Sequence, residues 1–232
     1  MKIFQNKKLV IFVGVVVAVV LLTLVLISTG ALKFNFTVSS TKPSVTTDQP
    51  STQAPAEDKP LTKMPTQEVK LATRPTTFKD AGGNLEFSIN LPVGWATAED
   101  NRVDFVAASV TGEKFDNGQT FYANVNAVSG KHPSGVKTFS DYQAKWKDAT
   151  LEQYPSMEFI TDYSTKINDM DVYVFEVSNA RADGFLLRQI QYVFFVNDDY
   201  ALVMTGTTPL NSWTSYEDVI KKSVESVKPV SN

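Results

Sequence analysis

The chain has 232 residues, 43% of them apolar, a formal charge of −3 and no cysteine. That apolar share lies above the range of chains disordered throughout. The missing thiols exclude a disulfide framework, a cysteine-ligated metal or cluster, a cysteine nucleophile and a lipid anchor carried on cysteine. His132 is the single histidine, so a multi-histidine metal site is excluded and any Ser-His-Asp triad would depend on that one ring.

Residues 9–27 are strongly apolar except at Gly14 and Thr23. At a rise of about 1.5 Å per residue, such a run nearly spans a hydrocarbon core of about 30 Å, which predicts a transmembrane signal-anchor helix over residues 9–29. Lys2, Lys7 and Lys8 precede it and Lys33 follows. The excess of positive charge places residues 1–8 in the cytoplasm and the rest of a single-pass chain outside the cell membrane. The alternative is a cleaved signal peptide, for which Ser28-Thr29-Gly30-Ala31 offers small residues, although its apolar core would run only about 7–15 residues.

Residues 30–76 read as a linker. No aromatic residue occurs from 37 to 77, whereas Pro43, Pro50, Pro55, Pro60, Pro65 and Pro75 recur among Ser, Thr and Gln. This composition cannot bury enough apolar surface to offset its ordering entropy. As a flexible coil it would span about 35–40 Å, and its prolines extend it further.

Residues 77–232 form the expected extracytoplasmic domain. From Phe78 onward there are 13 Lys and Arg against 21 Asp and Glu, a formal −8. Nucleic acid is excluded as a partner by that balance. Residues 85–91 alternate apolar and polar, and Pro92-Val93-Gly94-Trp95 ends them with turn residues, so they predict a half-buried strand. Strands are also predicted over 103–109 and 121–128, joined by a hairpin whose tip holds Asp116-Asn117-Gly118. Four sequential antiparallel strands follow over 158–167, 172–177, 185–196 and 200–205, with Asn168-Asp169 and Asn197-Asp198 as turns. The strand over 185–196 is apolar on both faces and is placed centrally.

Two helices interrupt these strands. Ser140-Asp141-Tyr142-Gln143 has capping-box form, with Tyr142, Trp146 and Ala149 on one face. Thr214-Ser215-Tyr216-Glu217 repeats the box, and Trp213, Tyr216, Ile220, Val224 and Val227 make its stripe. The expected class is therefore α+β: an antiparallel sheet of about seven to eight strands packed against two helices. The phrase running from Leu85 to Trp95, the aromatic strand ending at Asn197, the next strand opening at Tyr200 and the closing helix with Ser223-Val224 resemble the PsbP and DcrB group of small α+β domains. That resemblance covers roughly residues 77–228. It implies an exported, non-enzymatic accessory or binding module, and it transfers no catalytic residue.

His132 lies in a Gly- and Pro-flanked loop and reads as a solvated loop histidine, with a general base as the alternative. The acidic pairs Asp169 and Asp171, and Asp198 and Asp199, could offer oxygen ligands to a hard cation but read as hairpin-turn residues. Glu176, Arg181 and Arg188 are the candidate ligand or partner contacts. Charges in or just after apolar strands must either face water or be paired, and a cross-strand ion pair is the plainer alternative. Trp95, Trp146 and Trp213 read as core anchors rather than a binding floor. No catalytic, cofactor-binding or metal-binding residue is assigned. The function expected is a non-catalytic binding or adaptor protein of the bacterial envelope, engaging an envelope protein. A carrier holding a lipid or other apolar small molecule between helix and sheet is the alternative, motivated by 15 Phe, 8 Tyr and 3 Trp. An unrecognised hydrolase ranks last.

Overall fold

The computed structural model describes residues 70–80, 82–83, 85–115, 120–132, 138, 140–143, 157–182 and 185–230. The expected cytoplasmic N-terminus, membrane helix and nearly all of the linker lie outside the described residues. Among the described residues, no helix is long and apolar enough to cross a membrane.

The strands in chain order are β1 (Thr76–Lys79), β2 (Glu86–Ile89), β3 (Trp95–Ala98), β4 (Phe105–Ser109), β5 (Glu113–Lys114), β6 (Thr120–Phe121), β7 (Asn124–Lys131), β8 (Glu158–Ile167), β9 (Met170–Ala182), β10 (Phe185–Asn197), β11 (Tyr200–Pro209) and β12 (Lys228–Pro229). A single-turn 3-10 helix (Leu210–Ser212) leads into helix α1 (Trp213–Glu225). Seven strands form one antiparallel sheet in the order β3-β4-β7-β11-β10-β9-β8, so the four sequential strands expected after residue 157 are neighbours and β10 is internal. A small sheet, β1-β2-β12, flanks it, and β5 pairs with β6.

Three expectations need correcting. The stretch expected as one strand over 121–128 is divided, because Phe121 pairs within the β5–β6 hairpin while the long strand begins at Asn124. The strand expected over 172–177 extends over Met170–Ala182, since its partners on both sides continue that far. Helix α1 starts at Trp213 after Ser212, and Thr214 caps nothing. The 3-10 turn delivers the chain directly into the helix, and the Ser212 hydroxyl donates to the Glu113 carboxylate instead.

Both faces of the large sheet are buried along its central strands, which is why β9 and β10 carry apolar residues at consecutive positions, whereas the edge strand β8 is largely exposed. One face receives α1: Val174, Ile190, Tyr192, Leu202 and Met204 pack against Trp213, Ile220, Val224 and Val227. Fully burying each such Val or Ile side chain is worth about 1.5–3 kcal/mol, so this stripe holds the helix down. The β8–β9 turn fixes its far end. Asn168 and Asp169 have φ of 49° and 67°, which short polar residues tolerate. The Asn168 amide donates to the carbonyls of Glu225 at 3.1 Å and Val227 at 2.8 Å, satisfying groups left over at the helix end. On the opposite face, Tyr142 in the helical turn 140–143 meets the rings of Tyr173 and Phe195, each 6.1 Å away between centroids. That turn is the start of the first expected helix, whose remainder lies outside the described residues.

Burial raises the phenol pKa of Tyr142, Tyr173 and Tyr192; a hydrogen bond to Asp162 adds to this at Tyr173, and the Glu225 carboxylate adds to it at Tyr192. An unfolded tyrosine ionises near pH 10, so stability from these residues is complete below that pH and is lost as pH rises above it. Urea unfolding should show a lower midpoint at pH 11 than at pH 8, and Tyr192→Phe should blunt the difference. Equal midpoints would mean that these phenols ionise as easily folded as unfolded.

Candidate functional site

Among the described residues, two grooves and an ion pair gather residues of the expected sites. The ion pair contains two of the three expected contact residues. Glu176 on β9 stands opposite Ile190, and Arg188 lies two residues before Ile190 on β10, so both point to the face that α1 covers. A bulge in β9 beside Arg188 adjusts the register there. Arg188 Nε and Nη2 bind Glu176 Oε1 at 2.6 and 2.5 Å, and the guanidinium lies 5.2 Å from the centroid of the Trp213 ring. Glu176 is only 4% exposed. The pair therefore sits at a packed boundary rather than on a solvated face. Arg181 is on β9 opposite Leu186, and its side chain is not among those described.

Trp213 is buried beside this pair, as an anchor should be, whereas Trp95 is only half-buried. Trp95 opens β3 and its ring meets Tyr216 of α1 edge-on at 6.5 Å. Together they wall a groove of about 580 Å³, open to solvent, with Lys70, Val93, Val110 and Val219 along it. Gly94, at φ 85°, turns the chain so that Val93 projects outward. Val93 is 65% exposed and Val110 49%. The first described residues join the fold at this place: the Val93 amide donates to the Lys70 carbonyl at 2.9 Å, and Leu71 bridges to Pro92.

The second groove, about 470 Å³, is bordered by His132, Asp171, Asn197 and Asp198. His132 is not freely solvated. Its ring stacks on Phe195 at 5.1 Å between centroids, and Nε2 donates to the Asn197 carbonyl at 3.0 Å. The nearby acids hold turns or pair: the Asp199 carbonyl accepts from the His132 amide at 2.9 Å, and Asp171 meets Lys166 at 2.7 Å. Among the described residues, no group of three or more His, Cys, Asp or Glu side chains could hold a metal.

The space expected to hold an apolar cargo between helix and sheet is closed where α1 crosses β11. A Cβ on Gly206 would stand 2.2 Å from Ile220 Cγ2, so helix and strand are already in contact. Sequence reasoning passed over Val93, Val110 and Tyr216 as site residues. Only the turn phrase Pro92-Val93-Gly94-Trp95 could have pointed to the first of them.

The fold and its grooves define an α+β domain with an antiparallel sheet buried on both faces at its centre and an aromatic-walled recess beside Lys70 and Pro92. No family model matches the chain, and no curated protein does. Among solved structures, it is similar to cyanobacterial PsbP (CyanoP) from Synechocystis sp. PCC 6803, with 13% identity, 73% of this chain and 99% of that one covered, and a TM-score of 0.48. It is also similar to LpqN, involved in cell envelope biogenesis of Mycobacterium tuberculosis, with 12% identity, coverage of 68% and 93%, and a TM-score of 0.49. The Saccharomyces cerevisiae Ran-binding protein Mog1p matches with 12% identity, coverage of 68% and 96%, and a TM-score of 0.44. At 12–13% identity and TM-scores below 0.5, these likenesses concern the fold and extend to nothing finer.

Proposed function

We propose that the chain is a single-pass, membrane-anchored protein whose extracytoplasmic domain is a non-catalytic binding or adaptor module of the bacterial envelope, and that it engages a partner protein through the groove beside Trp95. The observation that carries this reading is the exposure of Val93 and Val110 on the rim of a recess walled by Trp95 and Tyr216. Large apolar side chains held in water around an aromatic recess are the usual make-up of a protein contact. The apolar run over residues 9–27 and the linker support the tethered location.

A photo-crosslinking residue at position 93 of the full-length chain, activated in intact cells, should give a discrete protein adduct that Val110→Asp removes. The same residue at position 166, which is exposed on β8, should not give it. Equal adducts from both positions, or none from position 93, would defeat the groove assignment. Turnover of esters, peptides or glycosides that falls with His132→Ala would defeat the non-catalytic one.

A further inference from the structure

The described residues begin beside the Trp95 groove, and their direction is towards it. The Ala72 amide donates to the Leu91 carbonyl at 2.8 Å, Leu71 bridges to Pro92 in the antiparallel sense, and the Val93 amide donates to the Lys70 carbonyl at 2.9 Å. Traced backwards from Ala72 to Lys70, the chain therefore runs in the direction Leu91 to Val93, and Lys70 itself lines the recess. The paired segment leaves that line at Gly94, where φ is 85° and the carbonyl accepts from the Val110 amide at 3.1 Å. Ladder pairing stops at Val93. Ahead of Lys70 on this line lies the space bounded by Trp95, Val110 and Tyr216.

The chemistry of that space favours an extended, proline-containing segment. Val93 and Val110 stand exposed on its rim, and the rings of Trp95 and Tyr216, 6.5 Å apart, are each only half-buried. Aromatic-walled grooves accept such segments because proline supplies a rigid apolar ring at little entropic cost. Proline also lacks an N–H, so its segment offers carbonyl acceptors. The indole N–H of Trp95 and the hydroxyls of Tyr216 and Ser215 are the matching donors along the groove.

The sequence just ahead of Lys70 is Met64-Pro65-Thr66-Gln67-Glu68-Val69. It holds one proline and two further apolar side chains. Pro65 lies five residues before Lys70, a reach of about 16–18 Å when extended, which is more than a recess of about 580 Å³ requires. So short a tether gives an effective concentration of the order of millimolar, and a contact too weak to form between separate molecules still fills the groove. We propose that residues 64–69 of this chain are the resting occupant of the Trp95 groove, and that a partner gains the site by displacing them. The displacement rests on the partner reading above; the occupancy does not.

The chain has no cysteine, so Thr66→Cys with Val110→Cys supplies a single pair of thiols. In the full-length protein, in detergent and a glutathione redox buffer, this pair should form an intramolecular disulfide. Its effective concentration should stand about tenfold above that of the same pair in a chain also carrying Pro65→Gly and Val69→Ser, which remove apolar contacts and leave the tether length unchanged. Equal values would show tethering without docking and overturn the occupancy. In cells, the adduct from a photo-crosslinking residue at position 93 should rise several-fold in the Pro65→Gly, Val69→Ser chain. An adduct that these changes leave unaltered would overturn the displacement. Absence of an adduct from both chains would count against the partner reading alone, with the disulfide comparison still deciding the occupancy.

Discussion

Gly206→Ala is expected to destabilise the protein by about 1–3 kcal/mol, the usual cost of forcing a methyl into a packed core. The new Cβ would stand 2.2 Å from Ile220 Cγ2 and 3.4 Å from Ile190 Cγ2. Ile220 cannot turn aside, since it is fully buried and β-branched in a helix, where one χ1 rotamer dominates. The helix must lift instead, and with it the contacts of Trp213 and Val224. Alanine also narrows the unfolded ensemble, but that gain of about 0.4–1 kcal/mol is smaller than the steric cost. Ile220→Ala alone should cost about 2–5 kcal/mol through the cavity it leaves. In the double variant the alanine methyl partly fills that cavity, so the combined loss should be well below the sum of the two. Chemical denaturation of the four proteins measures this, and strict additivity would show that helix and strand do not meet at Gly206.

Arg188→Met should be the other severe change, costing about 3 kcal/mol by leaving the Glu176 carboxylate buried without its partner. Glu176 is 4% exposed, whereas the Arg188 side chain keeps 24% of its surface, which places the expected loss at the lower end for a broken buried pair. Adding Glu176→Gln removes the stranded charge and should recover most of the stability. The comparison separates a buried pair from a surface one: a loss below about 1 kcal/mol for Arg188→Met would match an exposed ion pair and contradict the packing against Trp213.

The strands were legible where one local rule governed them. Residues 158–209 alternate apolar runs with Asn-Asp turns, and turns that short can only join antiparallel neighbours, so the order β8 to β11 followed from the chain itself. The short strands β1, β3, β5, β6 and β12 were not legible, because two to four residues carry too little periodicity to distinguish them from loops. Thr214 failed as a cap for a related reason: the box pattern was present, but the preceding 3-10 turn had already set the helix start at Trp213.

The candidate sites divide in the same way. Glu176 and Arg188 drew attention as charges in apolar strands, but which of them pair depends on register, and the β9 bulge sets that register locally. Asn124, Asn126, Thr205 and Thr207 alternate with Val125, Ala127 and Gly206, a pattern that a half-buried strand shares. Their burial depends on the second face being covered, which no window of sequence along one strand can show.

By itself, the sequence determined that an apolar run, a Pro-rich stretch and an acidic stretch follow one another, because composition is read from the chain directly. It also determined the α+β class, because periods of 2.0 and 3.6 are local properties. Only the tertiary structure decided that Val93 and Val110 stand in water, that Glu176 lies beside Trp213, and that Asn124, Asn126, Thr205 and Thr207 are buried. Each of these depends on what strands distant in sequence bring to the same place, and that is settled by pairing and packing between elements.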